Sequence, residues 1–119
     1  ILAGLNRVLQ GQTGGGFVTA LCARFSADGG VTVANAGHLA PYVDGREAEV
    51  DSGLPLGLAP EAAYAETTLT GRAFTFVTDG VVEAANGAGE LFGFERTAAM
   101  STRSAGEIAE AARAWGQND

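Results

Sequence analysis

Three short stretches carry residues whose types and spacing could do chemistry. The first is "FVTDGVVEA" (76–84), where an apolar run ends on Asp79 with Gly80 directly behind it. Two readings fit these residue types. Asp-Gly between two β-like runs is a hairpin turn, because such residues readily supply positive φ. Alternatively, Asp79 is a carboxylate fixed at a rigid strand end, where its hard oxygens can ligate a hard cation. Gly80 would then let the backbone come close to the ion and its waters. Glu83 follows Val81 and Val82 without the alternation of a paired strand. The chain after Asp79 is therefore expected to make one short helical or irregular turn.

The second stretch is "ANAGH" (34–38), in which Asn35 and His38 flank a small Ala-Gly pair at a strand end. A lone His more often serves the fold through its two ring nitrogens than it ligates a metal. With one His and one Cys, a zinc site of the usual kind is not available. The third is the final Asp119, which reads either as a solvated chain end or as a second carboxylate converging on Asp79. Cys22 lies in an apolar run with no His beside it and reads as a core thiol. "GGGFVTA" (14–20) lacks the lysine of a phosphate-binding loop and leads into a strand. Ser26 and Ser52 sit in turns without a nucleophile elbow.

The elements that must position these residues follow from periodicity. Apolar residues at 1, 2, 5, 8 and 9 have helical spacing, which puts Asn6, Arg7 and Gln10 on the other side. The pattern starts without a cap and looks like the tail of a longer helix. Strands are expected at 17–26 and 31–37 across the turn "ADGG", with 38–43 continuing extended. "DGRE" (44–47) reads as a turn into a short strand at 48–50. Residues 51–62, with two Pro and two Gly, read as loop. Strands at 64–70 and 73–78 are expected to form a hairpin across Gly71 and Arg72, followed by loop at 86–94 and a weak helix at 94–103. Residues 104–116 read as a strong helix. Ser104 and Glu107 form its capping box, Ile108, Ala111, Ala112 and Trp115 its apolar stripe, and Gly116 its stop. If this helix runs toward the end of strand 73–78, the tail carrying Asp119 reaches the edge where Asp79 sits. Hairpins followed by segregated helices make the class α+β with antiparallel sheets.

Composition bounds the function. The chain has 119 residues, 46% of them hydrophobic, so it is one domain or part of one. Fourteen acids against seven bases, all Arg, give a net charge of −7. That excludes nonspecific nucleic-acid binding, which needs a basic face. No run reaches the roughly 20 apolar residues of a membrane span. A soluble protein of a reducing compartment, the cytoplasm, is expected.

Taken in order, "LNRVL", "FVTALCARF", "VTVANAGHLAPYV", "GLPLGL", "FVTDGVVEAANGAGELFGFER" and "WGQND" cover nearly the whole chain. They resemble the PPM-type serine/threonine phosphatases of bacteria, of the stage II sporulation protein E class, which are related to protein phosphatase 2C. The resemblance implies an αββα sandwich of two antiparallel sheets with two Mn²⁺ or Mg²⁺ ions at one end. It implies Asp79 and Asp119 as metal ligands, with Gly80 as adjacent backbone. Asn35 and His38 are left as structural or substrate-side residues. Water activated by the metals would attack a phosphoserine or phosphothreonine, with no covalent enzyme intermediate. The implied partner is a phosphorylated regulatory protein of the anti-sigma-factor antagonist type, in partner switching. The family's first metal motif would precede residue 1 and its last strand would follow Asp119, so residues 1–119 are expected to be a single partial domain that is inactive alone. The alternative is a non-catalytic phosphatase-fold module that only docks a partner.

Overall fold

A computed structural model describes residues 1–117. It is mixed α and β, and the chain divides into two compact units. The first comprises Ile1–Ala40 and Glu49–Thr70, and the second comprises residues 41–48 and 71–117. Each contains one three-stranded antiparallel sheet.

In the first unit, helix α1 (Leu2–Leu9) precedes a sheet of order β1 (Ala20–Phe25), β2 (Val31–Ala36), β5 (Glu66–Leu69). Ala20 pairs with Ala36 and Phe25 with Val31, while Val31 also pairs with Leu69. The β1–β2 turn is closed by Ser26 N donating to Gly30 O at 2.9 Å, and Gly30 N donates to Asp28 Oδ1 at 3.0 Å. The middle strand β2 is the most deeply covered, with Val31, Val33 and Ala36 buried. Leu2, Ala36 and Leu56 form the core of this unit, and half-buried Cys22 packs against them as the apolar reading of that thiol expects.

Helix α1 corrects its sequence reading. Asn6, expected on the polar side, is fully buried, whereas Leu5 and Val8 are exposed. The reason lies in residues 57–59. Asn6 Nδ2 donates to Ala59 O at 2.7 Å, and Asn6 Oδ1 accepts from Gly57 N at 2.9 Å. Gln10 Nε2 donates to the same oxygen at 3.0 Å. The half-buried backbone of Gly57 and Ala59 takes its partners from Asn6, and this requirement outranks the apolar stripe.

In the second unit the sheet order is β4 (Arg46–Glu47), β3 (Tyr42–Val43), β6 (Phe74–Thr75). The β3–β4 turn is only Asp44-Gly45, with φ of 50° and 87°, so Arg46 and Glu47 are strand rather than turn. No strand forms at 48–50. Ala48 N donates to Pro41 O at 2.8 Å and closes the hairpin there.

The expected hairpin between 64–70 and 73–78 does not form. β5 pairs with β2, and β6 pairs with β3. The Asp44 carboxylate takes up the intervening backbone: Oδ1 accepts from Arg72 N at 3.1 Å and from Ala73 N at 2.9 Å. Asp44 N in turn donates to Ala73 O at 2.9 Å. β6 is also shorter than expected. Tyr42 faces Thr75, so the next residue, Phe76, would face Pro41, which has no N–H to offer a ladder.

Three helices complete the second unit: α2 (Asp79–Val82), α3 (Gly93–Met100) and α4 (Ala105–Gly116). α4 has the expected capping box. Glu107 N donates to Ser104 Oγ at 3.1 Å, and Ser104 N donates to Glu107 Oε1 at 3.4 Å. Its stripe buries Ile108 and Ala112. Trp115 meets Phe92 edge to face at 6.3 Å, and its Nε1 donates to Glu90 O at 2.9 Å. The Arg96 guanidinium lies 4.0 Å from the Trp115 ring centroid.

Candidate functional site

Asp79 stands where β6 runs out. Residues 76–78 continue past the ladder, and Val77 turns inward and is buried. Thr78 is still extended (φ −103°, ψ 172°), and Asp79 is the first residue of α2. Glu83 N donates to Asp79 O at 2.8 Å, so the chain turns helically after Asp79. This is the short turn expected from the sequence, and the hairpin alternative for "TDG" is ruled out. The Asp79 side chain is exposed and meets no hydrogen-bond donor or cation among the described residues. Gly80 is exposed beside it. A groove of about 230 Å³ adjoins this strand end. Residues 75–78 and Val81 line one part of it, and Ala105, Ile108 and Ala109 of α4 the other.

Asn35 and His38 belong to the first unit, and their polar atoms are largely engaged there. Asn35 is buried; its Nδ2 donates to His38 O at 2.7 Å, and its Oδ1 accepts from His38 N at 2.8 Å. The amide therefore caps the turn made by Ala36 and Gly37. His38 is half-buried, with Nδ1 3.0 Å from Leu39 O. A carbonyl only accepts, so in this contact Nδ1 carries the proton and Nε2 of the neutral ring is the acceptor.

The turn is packed against the "GLPLGL" loop. Gly53 N donates to Asn35 O at 2.9 Å. A Cβ on Gly37, whose φ is +74°, would lie 2.7 Å from Pro55 Cγ. Sequence reasoning quoted both motifs without seeing that one closes on the other. The signal was present in the glycines, whose positions leave no room for a side chain.

Asp119 lies outside the described residues. Among the described residues, no three His, Cys, Asp or Glu side chains gather in a way that could hold a metal ion. A carboxylate with hard oxygens suits Mn²⁺ or Mg²⁺ chemically. One such group does not make a two-ion centre, and the described residues do not fit that group by themselves.

The sequence matches the stage II sporulation protein E (SpoIIE) family over residues 1–115. The chain belongs to the SpoIIE family. This is a family of PPM-type phosphatases, so the domain is phosphatase-related, and the α+β architecture with two antiparallel sheets agrees with that membership. Comparison with curated proteins and with solved structures gives no match. No described helix of this SpoIIE-family chain is long and apolar enough to cross a membrane.

Proposed function

We propose that this SpoIIE-family chain is part of a metal-dependent protein serine/threonine phosphatase. Its substrate is phosphoserine or phosphothreonine on a regulatory protein of the anti-sigma-factor antagonist type, in partner switching in the cytoplasm. The observation that carries this reading is the bare Asp79 carboxylate at the end of β6, exposed and free of partners among the described residues. A carboxylate committed to a hairpin turn would be spent on local backbone, as Asp28 is on Gly30 in the β1–β2 turn. Asp79 is not, which leaves its oxygens available to a hard cation. An acidic chain of net charge −7 repels a phosphate dianion, and a bound Mn²⁺ or Mg²⁺ would offset that field. Within this chain Asp79 supplies one anionic ligand and Gly80 an approach without a side chain. Asp119 is the proposed second carboxylate, and the remaining ligands come from elsewhere.

The test uses the protein as its gene encodes it. Hydrolysis of p-nitrophenyl phosphate with Mn²⁺ is compared between wild type and Asp79→Asn, with thermal unfolding as the control for folding. The expected result is a loss of turnover of at least about a hundredfold, the order reported for removal of one strong electrostatic group at a reacting centre, with the fold intact. Wild-type protein that turns over no phosphoprotein or small phosphate would instead favour the docking-module alternative.

A further inference from the structure

We infer that Arg96 is a positioning residue: with Trp115 it clasps the loop that leaves α2, and so steadies the helical turn headed by Asp79. α2 has four residues, and a single helical turn does not hold itself in water. Its N-cap, Thr78, forms no side-chain cap bond. The turn therefore needs an anchor at its exit.

The exit loop is first closed on itself. Phe92 N donates to Ala84 O at 2.7 Å, and Asn86 N donates to Glu90 O at 2.9 Å. Asn86 Oδ1 accepts from Ala88 N at 3.0 Å and from Glu90 N at 2.9 Å. Ala84 and Phe92 are thus the neck of the loop, and Ala84 directly follows Glu83, the C-cap of α2. On the returning arm, three successive carbonyls accept from side chains. Trp115 Nε1 donates to Glu90 O at 2.9 Å, and Arg96 Nη1 donates to Leu91 O at 3.2 Å and to Phe92 O at 3.1 Å. The two donors are themselves stacked, with the guanidinium 4.0 Å from the indole centroid, and buried Phe92 meets the indole edge to face. Charged donors make the stronger class of hydrogen bond. A planar guanidinium can make such bonds while lying flat on a ring, which an ammonium cannot.

Arg96 belongs to α3 and Trp115 to the last turn of α4, so the clasp ties both helices to the loop after α2. A Cβ on Gly116 would lie 3.7 Å from Ala85 O, so α4 ends directly against that loop. The exit of α2 and the end of α4 are thereby held as one group.

Arg96 can serve catalysis only if Asp79 does, so this role rests on the phosphatase reading. Arg96→Ala and Trp115→Phe are made in the protein as its gene encodes it. Trp115→Phe keeps a ring beneath the guanidinium and loses the bond to Glu90 O. Hydrogen exchange is followed by mass spectrometry over residues 81–92 and, as a reference, over Val31–Ala36 of the first unit. The kcat and KM for p-nitrophenyl phosphate with Mn²⁺ are measured in parallel.

For Arg96→Ala the expected result is about tenfold or greater acceleration of exchange at 81–92, the size of one lost charge-assisted bond. Exchange at 31–36 should be unchanged, and kcat should fall about tenfold with KM nearly constant, as for a group displaced from its place in the transition state. Trp115→Phe should act in the same direction by about threefold, the size of one neutral bond. It decides by the same criteria if Arg96→Ala does not fold. Unchanged exchange at 81–92 overturns the inference. So does equal acceleration at 31–36, which would mean a general loss of stability, and so does lost protection with kcat preserved. Turnover that survives Asp79→Asn overturns the role of Asp79 instead. It is told apart from a failure at Arg96 because the exchange result does not depend on the Asp79 carboxylate.

Discussion

Replacing Asn6 by Asp should make the stability of the first unit strongly dependent on pH. Asn6 is fully buried; its Nδ2 donates to Ala59 O and its Oδ1 accepts from Gly57 N. An ionised Asp has the same shape but cannot donate, so an anionic oxygen would face the Ala59 carbonyl at about the present 2.7 Å. A protonated Asp can reproduce both bonds. The folded variant therefore favours the proton, and its pKa rises above the unfolded value of about 3.9. A group whose folded pKa is raised contributes fully below the unfolded pKa and loses that contribution as pH rises. Holding the proton costs about 1.4 kcal/mol per pH unit above 3.9, so by pH 7 the cost approaches about 4 kcal/mol. At about 4 °C per kcal/mol for a domain of this size, the variant should melt about 16 °C below wild type at pH 7. Near pH 4 the gap should close to a few degrees. Thermal unfolding by circular dichroism at pH 4, 5.5 and 7, with wild type subtracted at each pH, measures this directly. A gap independent of pH would refute the reasoning, as would a gap under about 3 °C at pH 7. Either result would mean that Asn6 does not hold the 57–59 backbone through its donor.

Two other perturbations follow from local geometry. Gly37→Ala forces a side chain into φ +74° and against Pro55, and should cost about 2–4 kcal/mol in urea unfolding. Ser104→Ala removes a side-chain N-cap and should cost about 1 kcal/mol. Hydrogen bonds from Ser104 hold the Glu107 carboxyl below its ordinary 4.5, with a smaller contribution from Arg103. A lowered folded pKa stabilises above the ordinary value and loses that contribution as pH falls through the folded one. The gap between wild type and Ser104→Ala should therefore shrink below pH 4.5, which a carboxyl NMR titration of Glu107 alongside thermal melts would show.

Local chemistry was the legible part of this fold. The capping box of α4, the Asp-Gly turn at 28–29 and the break in pattern after Asp79 each depend on residues close in sequence, and each appears as expected. What was not legible depended on partners far along the chain. The sequence around 64–78 looks like a hairpin because both runs are β-like and Gly71 lies between them. The outcome was decided by Asp44, nearly thirty residues away, which holds the linking backbone for a different sheet. Asn6 was misplaced for the same reason: its partners are 51 and 53 residues distant. The length of β6 turned on Pro41, just before β3, opposite the position where the ladder would have continued.

The two motifs that looked most chemical in the sequence differ in how far their polar groups are already used. In "NAGH", the Asn35 amide is bound at both ends to His38 backbone, the His38 Nδ1 is bound to Leu39 O, and the turn closes on Pro55. These are the satisfied polar groups of a buried turn, and removing any of them should first disturb folding. In "TDG", the Asp79 carboxylate has no such partner among the described residues, although Asp44 in the same unit shows how readily a carboxylate beside a strand end can capture free backbone N–H groups. Burying a charge without a partner is expensive, but leaving one exposed at a strand end costs the fold little. As the acid in the first turn of the four-residue α2, Asp79 gains at most about 0.3–1 kcal/mol from the helix end, so stability gives only a weak reason for a carboxylate at this position. If the carboxylate binds a cation, as proposed, Asp79→Asn separates function from folding more cleanly than any change within "NAGH".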